Sequence, residues 1–170
     1  MDHAQRGVDV GEGDHHDTGT RQAGGEQGFL ARGVAVGNRL GGDAGLAHAL
    51  RSGADAIGQM DADLSHNPSH LPALRDALAD TDLVIGSRYV AGGGVVNWPV
   101  HRIALSAFAN RYIRAITGLP TRDCTSGFRL WRRDTLAKLP LANARANGYA
   151  FLTEMLYQAA RQGCRIREVP

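Results

Sequence analysis

Two carboxylates two residues apart, in Asp61-Ala62-Asp63, are the clearest chemistry-bearing group of this 170-residue chain. Residues 54–60 ahead of them read as a weakly apolar strand, and Asn67-Pro68 behind them marks its stop. In an extended chain the side chains at i and i+2 share a side. Asp61 and Asp63 are therefore presented together where a strand runs out into a loop. Ligands of open α/β sheets collect outside the carboxyl ends of strands. Hard oxygen donors there suit Mg²⁺ or Mn²⁺, completed by water and phosphate oxygens; the same pair also fits a solvated turn. Arg88 follows a second strand pattern, and Arg102 opens a helical pattern beyond Gly92-Gly93-Gly94 and Asn97-Trp98-Pro99. The two arginines could converge on an anion at a helix N-terminus, and they fit ordinary surface arginines equally well. Asp123 heads the run Arg122–Leu130, dense in polar groups yet bracketed by apolar ones, which is unusual for a plain surface loop.

The elements that must carry these groups follow from periodicity. Ala44–Gly53 puts Leu46, Ala49 and Leu50 at helical spacing and ends on a C-capping glycine. Leu71, Leu74 and Leu78 make the next helical stripe, with Pro68 suited to a first turn and Pro72 able to delay the regular helix. Asp82–Gly86 is the clearest strand. Helix, strand, helix, strand in so short a span indicates parallel βαβ construction. His101–Gly118 predicts a helix whose Ile103, Phe108, Tyr112, Ile113 and Ile116 lie mostly on one face and are expected in the core. A further helix is expected over Tyr149–Arg161, and a last strand from Ile166.

Composition bounds the rest. Hydrophobic residues make up 43% of the chain, enough to bury a core in a single domain. Residues 1–37 carry a net charge of −3 and nine of the 22 glycines, with almost no apolar period. They are expected to be a poorly structured segment, which leaves Asp14-His15-His16-Asp17 without a frame to hold a metal. Residues 38–170 carry +5, and all but one of their basic residues are arginines, suited to bidentate recognition of phosphate or carboxylate. Cys124 and Cys164 form neither a disulfide framework nor a zinc motif, and a reducing compartment fits them. No apolar run approaches membrane-spanning length, and the opening residues lack the pattern of a signal peptide.

Five motifs in order then carry a resemblance: Asp61-Ala-Asp-Leu-Ser-His-Asn-Pro, Leu83-Val-Ile-Gly-Ser-Arg-Tyr, Gly92-Gly-Gly-Val-Val-Asn-Trp-Pro, His101-Arg102 and Asp123-Cys-Thr-Ser-Gly-Phe-Arg. Residues 39–170 resemble the polyprenol-phosphate (dolichol-phosphate) mannosyltransferases, family-2 glycosyltransferases with the GT-A fold, a Rossmann-like α/β architecture. The resemblance implies inverting, metal-dependent transfer of mannose from GDP-mannose to a polyprenyl or dolichyl phosphate. It places Mg²⁺ or Mn²⁺ on Asp61 and Asp63, with Ser65 where some members have a glutamine ligand. Asp63 and Asp123 are implied as catalytic, Asp61 and Arg129 at the donor diphosphate, and Arg88 and Arg102 on the acceptor phosphate. Gly92, Gly93, Gly94, Asn97 and Trp98 form the implied acceptor loop. The partners implied are a nucleotide sugar and a polyprenyl phosphate, met at the cytoplasmic face of a membrane through peripheral contact, with a separate membrane-anchoring subunit or domain as an option. Nucleic acid is not among them.

The sequence also departs from the pattern. Family members open with a strand and an Asp-Asp-Gly-Ser loop that hold base and ribose, and residues 1–37 show neither. Residues 38–170 are thus expected to be a partial family-2 domain, incomplete at its N-terminus and weak in nucleotide-sugar binding. A catalytically impaired fragment, and a relative transferring glucose or another hexose, are the alternatives.

Overall fold

Ala56 and Ile57 are neighbours in sequence, yet each is buried in a different core. Strand alternation produces this division throughout the sheet. Residues 34–38, 42–61, 65–141 and 148–170 are described by the computed structural model. Five strands, β1 (Val34–Asn38), β2 (Ala56–Met60), β3 (Leu83–Gly86), β4 (Arg129–Arg132) and β5 (Ile166–Val169), form one sheet in the order β1-β2-β4-β3-β5. On one face Ile57, Leu83, Ile85 and Trp131 pack against α1 (Gly42–Arg51) and against Phe151, Leu152, Met155 and Leu156 of a C-terminal helix, Tyr149–Arg161. On the other, Ala56, Val84 and Leu130 pack with Phe128 and with Leu74 and Leu78 around α2 (Leu71–Ala77). The result is the expected α/β fold, with helices on both faces of a sheet.

The strand directions place the chemistry. β1 is parallel to β2 and β3 to β5, whereas β4 runs antiparallel between β2 and β3. β2 and β3 therefore point the same way, and their carboxyl ends meet the entry to β4 at one edge of the sheet. The sequence predicted parallel construction and no strand at β4. That strand is short, and its apolar pair Leu130-Trp131 sits between two arginines, a composition that conceals it. Both arginines donate inward to backbone carbonyls, Arg132 to Thr81 O at 2.6 Å and to Leu78 O at 3.0 Å. β1 corrects a second expectation, because it starts at Val34, ahead of the boundary placed at residue 38. The remaining readings of residues 1–33 lie outside the described residues.

The long helix α3 (Val100–Thr117) overturns the expected core stripe. Phe108, Tyr112 and Ile116 are 66%, 59% and 65% exposed, and of the five stripe residues only Ile113 packs on a core. The residue that α3 buries is Asn110. Its Oδ1 accepts from the Cys124 amide at 2.7 Å, and its Nδ2 donates to Ser106 O at 2.9 Å and Thr125 Oγ1 at 3.3 Å. Helical spacing identifies a face but does not say which medium covers it. Here a polar anchor fixes α3 to the segment ahead of β4 and turns the apolar face outward. Replacing Asn110 by Ala leaves the Cys124 amide without its partner, and we expect a loss of about 1–3 kcal/mol in urea-denaturation stability.

Candidate functional site

Segment 121–128 is the wall of the site, and its polar residues are built into the protein. Thr121, Asp123 and Ser126 are buried. Ser126 Oγ donates to Gly86 O at 2.6 Å and accepts from the Phe128 amide at 3.2 Å. Glu168, on β5, ties the start of the segment down. Its carboxylate accepts from the amides of Arg122 and Asp123, both at 2.8 Å, and from Ser87 Oγ at 2.7 Å. Sequence reasoning missed Glu168 and Asn110, and neither lies in a motif that would have marked it.

Asp123 is wholly buried and grips Arg88 as a fork: Nε to Oδ2 and Nη2 to Oδ1, both at 2.7 Å. The Arg88 amide adds a bond to Oδ2 at 3.1 Å, and Thr125 Oγ1 accepts from Nη2 at 2.8 Å. Burial would raise the Asp123 pKa, but the hydrogen bonds and charge of Arg88 outweigh it and hold the carboxyl below its ordinary range. Both oxygens are thus committed and none faces solvent. The carboxylate expected to be catalytic is thus the anchor of the Arg88 guanidinium.

Arg88 and Arg102 both lie against the Trp98 ring. The Arg88 guanidinium lies 5.4 Å from the Trp98 ring centroid and that of Arg102 lies 3.9 Å from it. Each such contact contributes roughly 0.5–1 kcal/mol at exposed sites. The loop carrying Trp98 is shaped by two features. A Cβ on Gly93 would stand 2.2 Å from the Ser87 carbonyl oxygen, so the loop folds back on the β3 exit only with glycine there. Asn97 takes a left-handed φ of 59°, which asparagine tolerates, just before Trp98. Gly92 also has a left-handed φ, while Gly94 has open space around it.

Asp61 leaves the end of β2 against the far end of the same wall. A Cβ on Gly127 would fall 2.7 and 2.8 Å from its two carboxylate oxygens, so glycine makes room for the carboxylate. His66 stacks on Phe128 with ring centroids 5.1 Å apart, and its Nε2 stands 3.5 Å from Asp61 Oδ2. That separation is too long for a hydrogen bond, and Nε2 is buried without a hydrogen-bond partner. Asp63 lies outside the described residues, among which no group of three metal-binding side chains occurs. The carboxylate of Asp61, confined and only 13% exposed beside an unpartnered buried nitrogen, fits a divalent cation.

Arg129, expected at the donor diphosphate, is completely buried, with the guanidinium donating to Ser126 O at 2.9 Å, Leu152 O at 2.6 Å and Cys124 O at 3.0 Å. Burial lowers its pKa to about 10, an effect opposed by the charges of Asp123, Cys124 and Asp61. It stays protonated at neutral pH and lends a fixed positive charge beneath the site.

The sequence model of a family described as Glycosyl transferase family 2 matches residues 29–139. The undecaprenyl-phosphate mannosyltransferase of Micrococcus luteus is 45% identical over 127 residues, covering 75% of this chain and 52% of that protein. The polyprenol monophosphomannose synthase of Mycolicibacterium smegmatis is 44% identical over 128 residues, covering 75% and 48%. The chain spans about half the length of these curated relatives. Glucosyl-3-phosphoglycerate synthase from Mycobacterium tuberculosis, solved with phosphoglyceric acid, aligns over 75% of this chain and 44% of its own, with 23% identity and a TM-score of 0.43.

The Arg88–Asp123 pair has a pH signature. A carboxyl whose folded pKa is depressed contributes stability that is present above its unfolded pKa, about 3.9, and lost as pH falls through the folded value. We expect Asp123→Asn to cost on the order of 3 kcal/mol at pH 7, since it strands a partly buried guanidinium. Denaturation series from pH 7 to pH 2 should show the gap between variant and unaltered chain closing below pH 4.

Proposed function

Given that the chain belongs to glycosyl transferase family 2, we propose that it carries the acceptor side, and the metal-binding carboxylate, of an enzyme that transfers mannose from GDP-mannose to a polyprenyl phosphate. The observation that carries this reading is that the Arg88 guanidinium, just beyond the carboxyl end of β3, and the Arg102 guanidinium lie 5.4 and 3.9 Å from the Trp98 ring centroid. Arg88 is held in place by Asp123, while Arg102 makes no ion pair with a carboxylate among the described residues. Arg88 Nη1, left over by the bonds to Asp123 and Thr125, and the Arg102 guanidinium are the donors offered to a phosphate.

The chemistry asks for such a site. An acceptor phosphate is ionised at neutral pH, so its oxygen attacks the anomeric carbon without a strong general base. The carbon–oxygen bond to the departing diphosphate breaks as the new one forms, and a single displacement inverts the sugar carbon. The difficulty is bringing two anions together, which Arg88, Arg102 and the buried charge of Arg129 relieve by preorganised electrostatics. Asp61, with Asp63, would hold a Mg²⁺ or Mn²⁺ ion, whose chemistry is to neutralise charge building on the leaving diphosphate.

The lipid acceptor implies a membrane surface, and α3 fits it. Leu105, Phe108, Tyr112 and Ile116 form an exposed apolar stripe, and Phe108 stacks with Tyr112 at 6.4 Å. The helix also carries Arg102, Arg111 and Arg114 and no acidic residue. Apolar and basic faces together are the pattern of a helix lying in an anionic lipid interface. No helix among the described residues is long and apolar enough to cross a membrane. Peripheral attachment at the cytoplasmic face is the location this supports.

Two measurements test the reading. Arg88→Lys and Arg102→Lys keep the charge but lose the planar fork, and we expect each to weaken polyprenyl-phosphate use by about 1–3 kcal/mol in a mannose-transfer assay. Unaltered use by both variants removes the arginines from the acceptor site. In sedimentation with phosphatidylglycerol vesicles, Phe108→Glu should release the chain, and phosphatidylcholine vesicles should bind it less than anionic ones. Equal binding in all cases contradicts the assignment of α3.

A further inference from the structure

His66 is placed by the fold with care that the acceptor chemistry does not use. Its ring stacks on Phe128 with an interplanar angle of 15°. Phe128 is itself packed against Gly86, where a Cβ would come within 2.7 Å of the ring, so the stack has a firm backing. The imidazole is thereby held with Nε2 3.5 Å from Asp61 Oδ2, buried and without a hydrogen-bond partner. A buried polar atom left unmet costs stability and is rare in native proteins. Two donors that each stand about 2.1 Å from one cation are separated by at most about 4.2 Å, and the observed gap falls within that reach.

We infer that His66 supplies a nitrogen ligand, beside the Asp61 carboxylate, to the divalent cation of this site. The inference rests on the reading of Asp61 as a metal carboxylate. The sequence would otherwise leave Ser65 as the nearest substitute for the glutamine ligand of some family members. An imidazole five residues beyond Asp61 fills that need from a different direction, through the turn that Asn67 caps by accepting from the Ser69 amide at 3.0 Å. A mixed oxygen and nitrogen shell also changes the choice of ion. Carboxylate and water suit Mg²⁺ and Mn²⁺, whereas imidazole favours the later first-row metals. The site is therefore selective for Mn²⁺ or Co²⁺ over Mg²⁺.

The test uses the 170-residue chain with Mn²⁺, in the presence and absence of inorganic pyrophosphate, and reads electron spin-echo modulation for nitrogen coupled to the ion. The unaltered chain should show ¹⁴N coupling, and His66→Phe, which keeps the stacked ring without its nitrogens, should lose it. Mn²⁺ affinity should fall by about tenfold to a hundredfold in that variant, a range that even outer partners of a metal site command, while Mg²⁺ affinity changes little. His66→Asn, with an amide oxygen in reach, should recover part of the Mn²⁺ affinity without the coupling. Bound Mn²⁺ with no nitrogen coupling in the unaltered chain overturns the inference, as does a loss of pyrophosphate affinity alone in His66→Phe. Asp61→Asn separates the two levels. If it leaves Mn²⁺ binding intact, or if the unaltered chain binds no Mn²⁺, the metal assignment of Asp61 falls, and His66 with it.

Discussion

The forked ion pair between Asp123 and Arg88 is the interaction on which the site depends. It crosses from the exit of β3 to the segment ahead of β4, and it does so inside the protein, where an unmatched charge would be costly. Both carboxylate oxygens are committed to Arg88, which anchors the head of segment 123–127 in its observed position. From that position Thr125 meets Arg88 and Asn110, and Gly127 lies against Asp61. One short stretch thus touches both the Arg88 guanidinium and the Asp61 carboxylate. Glu168 on the outer strand holds the same stretch from behind.

Such a wall is expensive in desolvation, and its form shows how the cost is met. Buried polar side chains in and around the segment have backbone partners: Ser126 at Gly86, Asn110 at Cys124, Arg129 at three carbonyls. Satisfied networks of this kind rigidify a core, whereas partly satisfied ones weaken it. Among the described residues two buried side-chain nitrogens lack a hydrogen-bond partner, Trp131 Nε1 in β4 and, beside Asp61, His66 Nε2. The function proposed above asks for rigidity at Arg88 and an open valence beside Asp61, since an acceptor must be oriented and a diphosphate gripped through an ion.

Much of this was legible in the sequence. β2, β3, β5 and the four longer helices followed from apolar period and from glycine and proline punctuation. Other features escaped for definite reasons. A four-residue strand flanked by arginines, as at β4, carries no alternation to read. The stripe of α3 has the spacing of a core helix, and only the burial of Asn110 reveals that the opposite face is inward. Motif matching located Asp123 and Arg129 correctly along the chain, but a motif fixes position and not the direction of a side chain. In the fold both side chains point into the protein.

The central claim, that Asp123 acts on the acceptor only through Arg88, is tested most directly by a double-mutant cycle read on binding of a short, water-soluble isoprenyl phosphate. Arg88→Gln, Asp123→Asn and the double variant should bind it with nearly equal weakness, because once either partner is lost the other has nothing left to contribute. The coupling should then be as large as the effect of Asp123→Asn alone. Additive losses, with the double variant weaker than both single ones by the sum of their effects, would show that Asp123 meets the acceptor independently and would contradict the account.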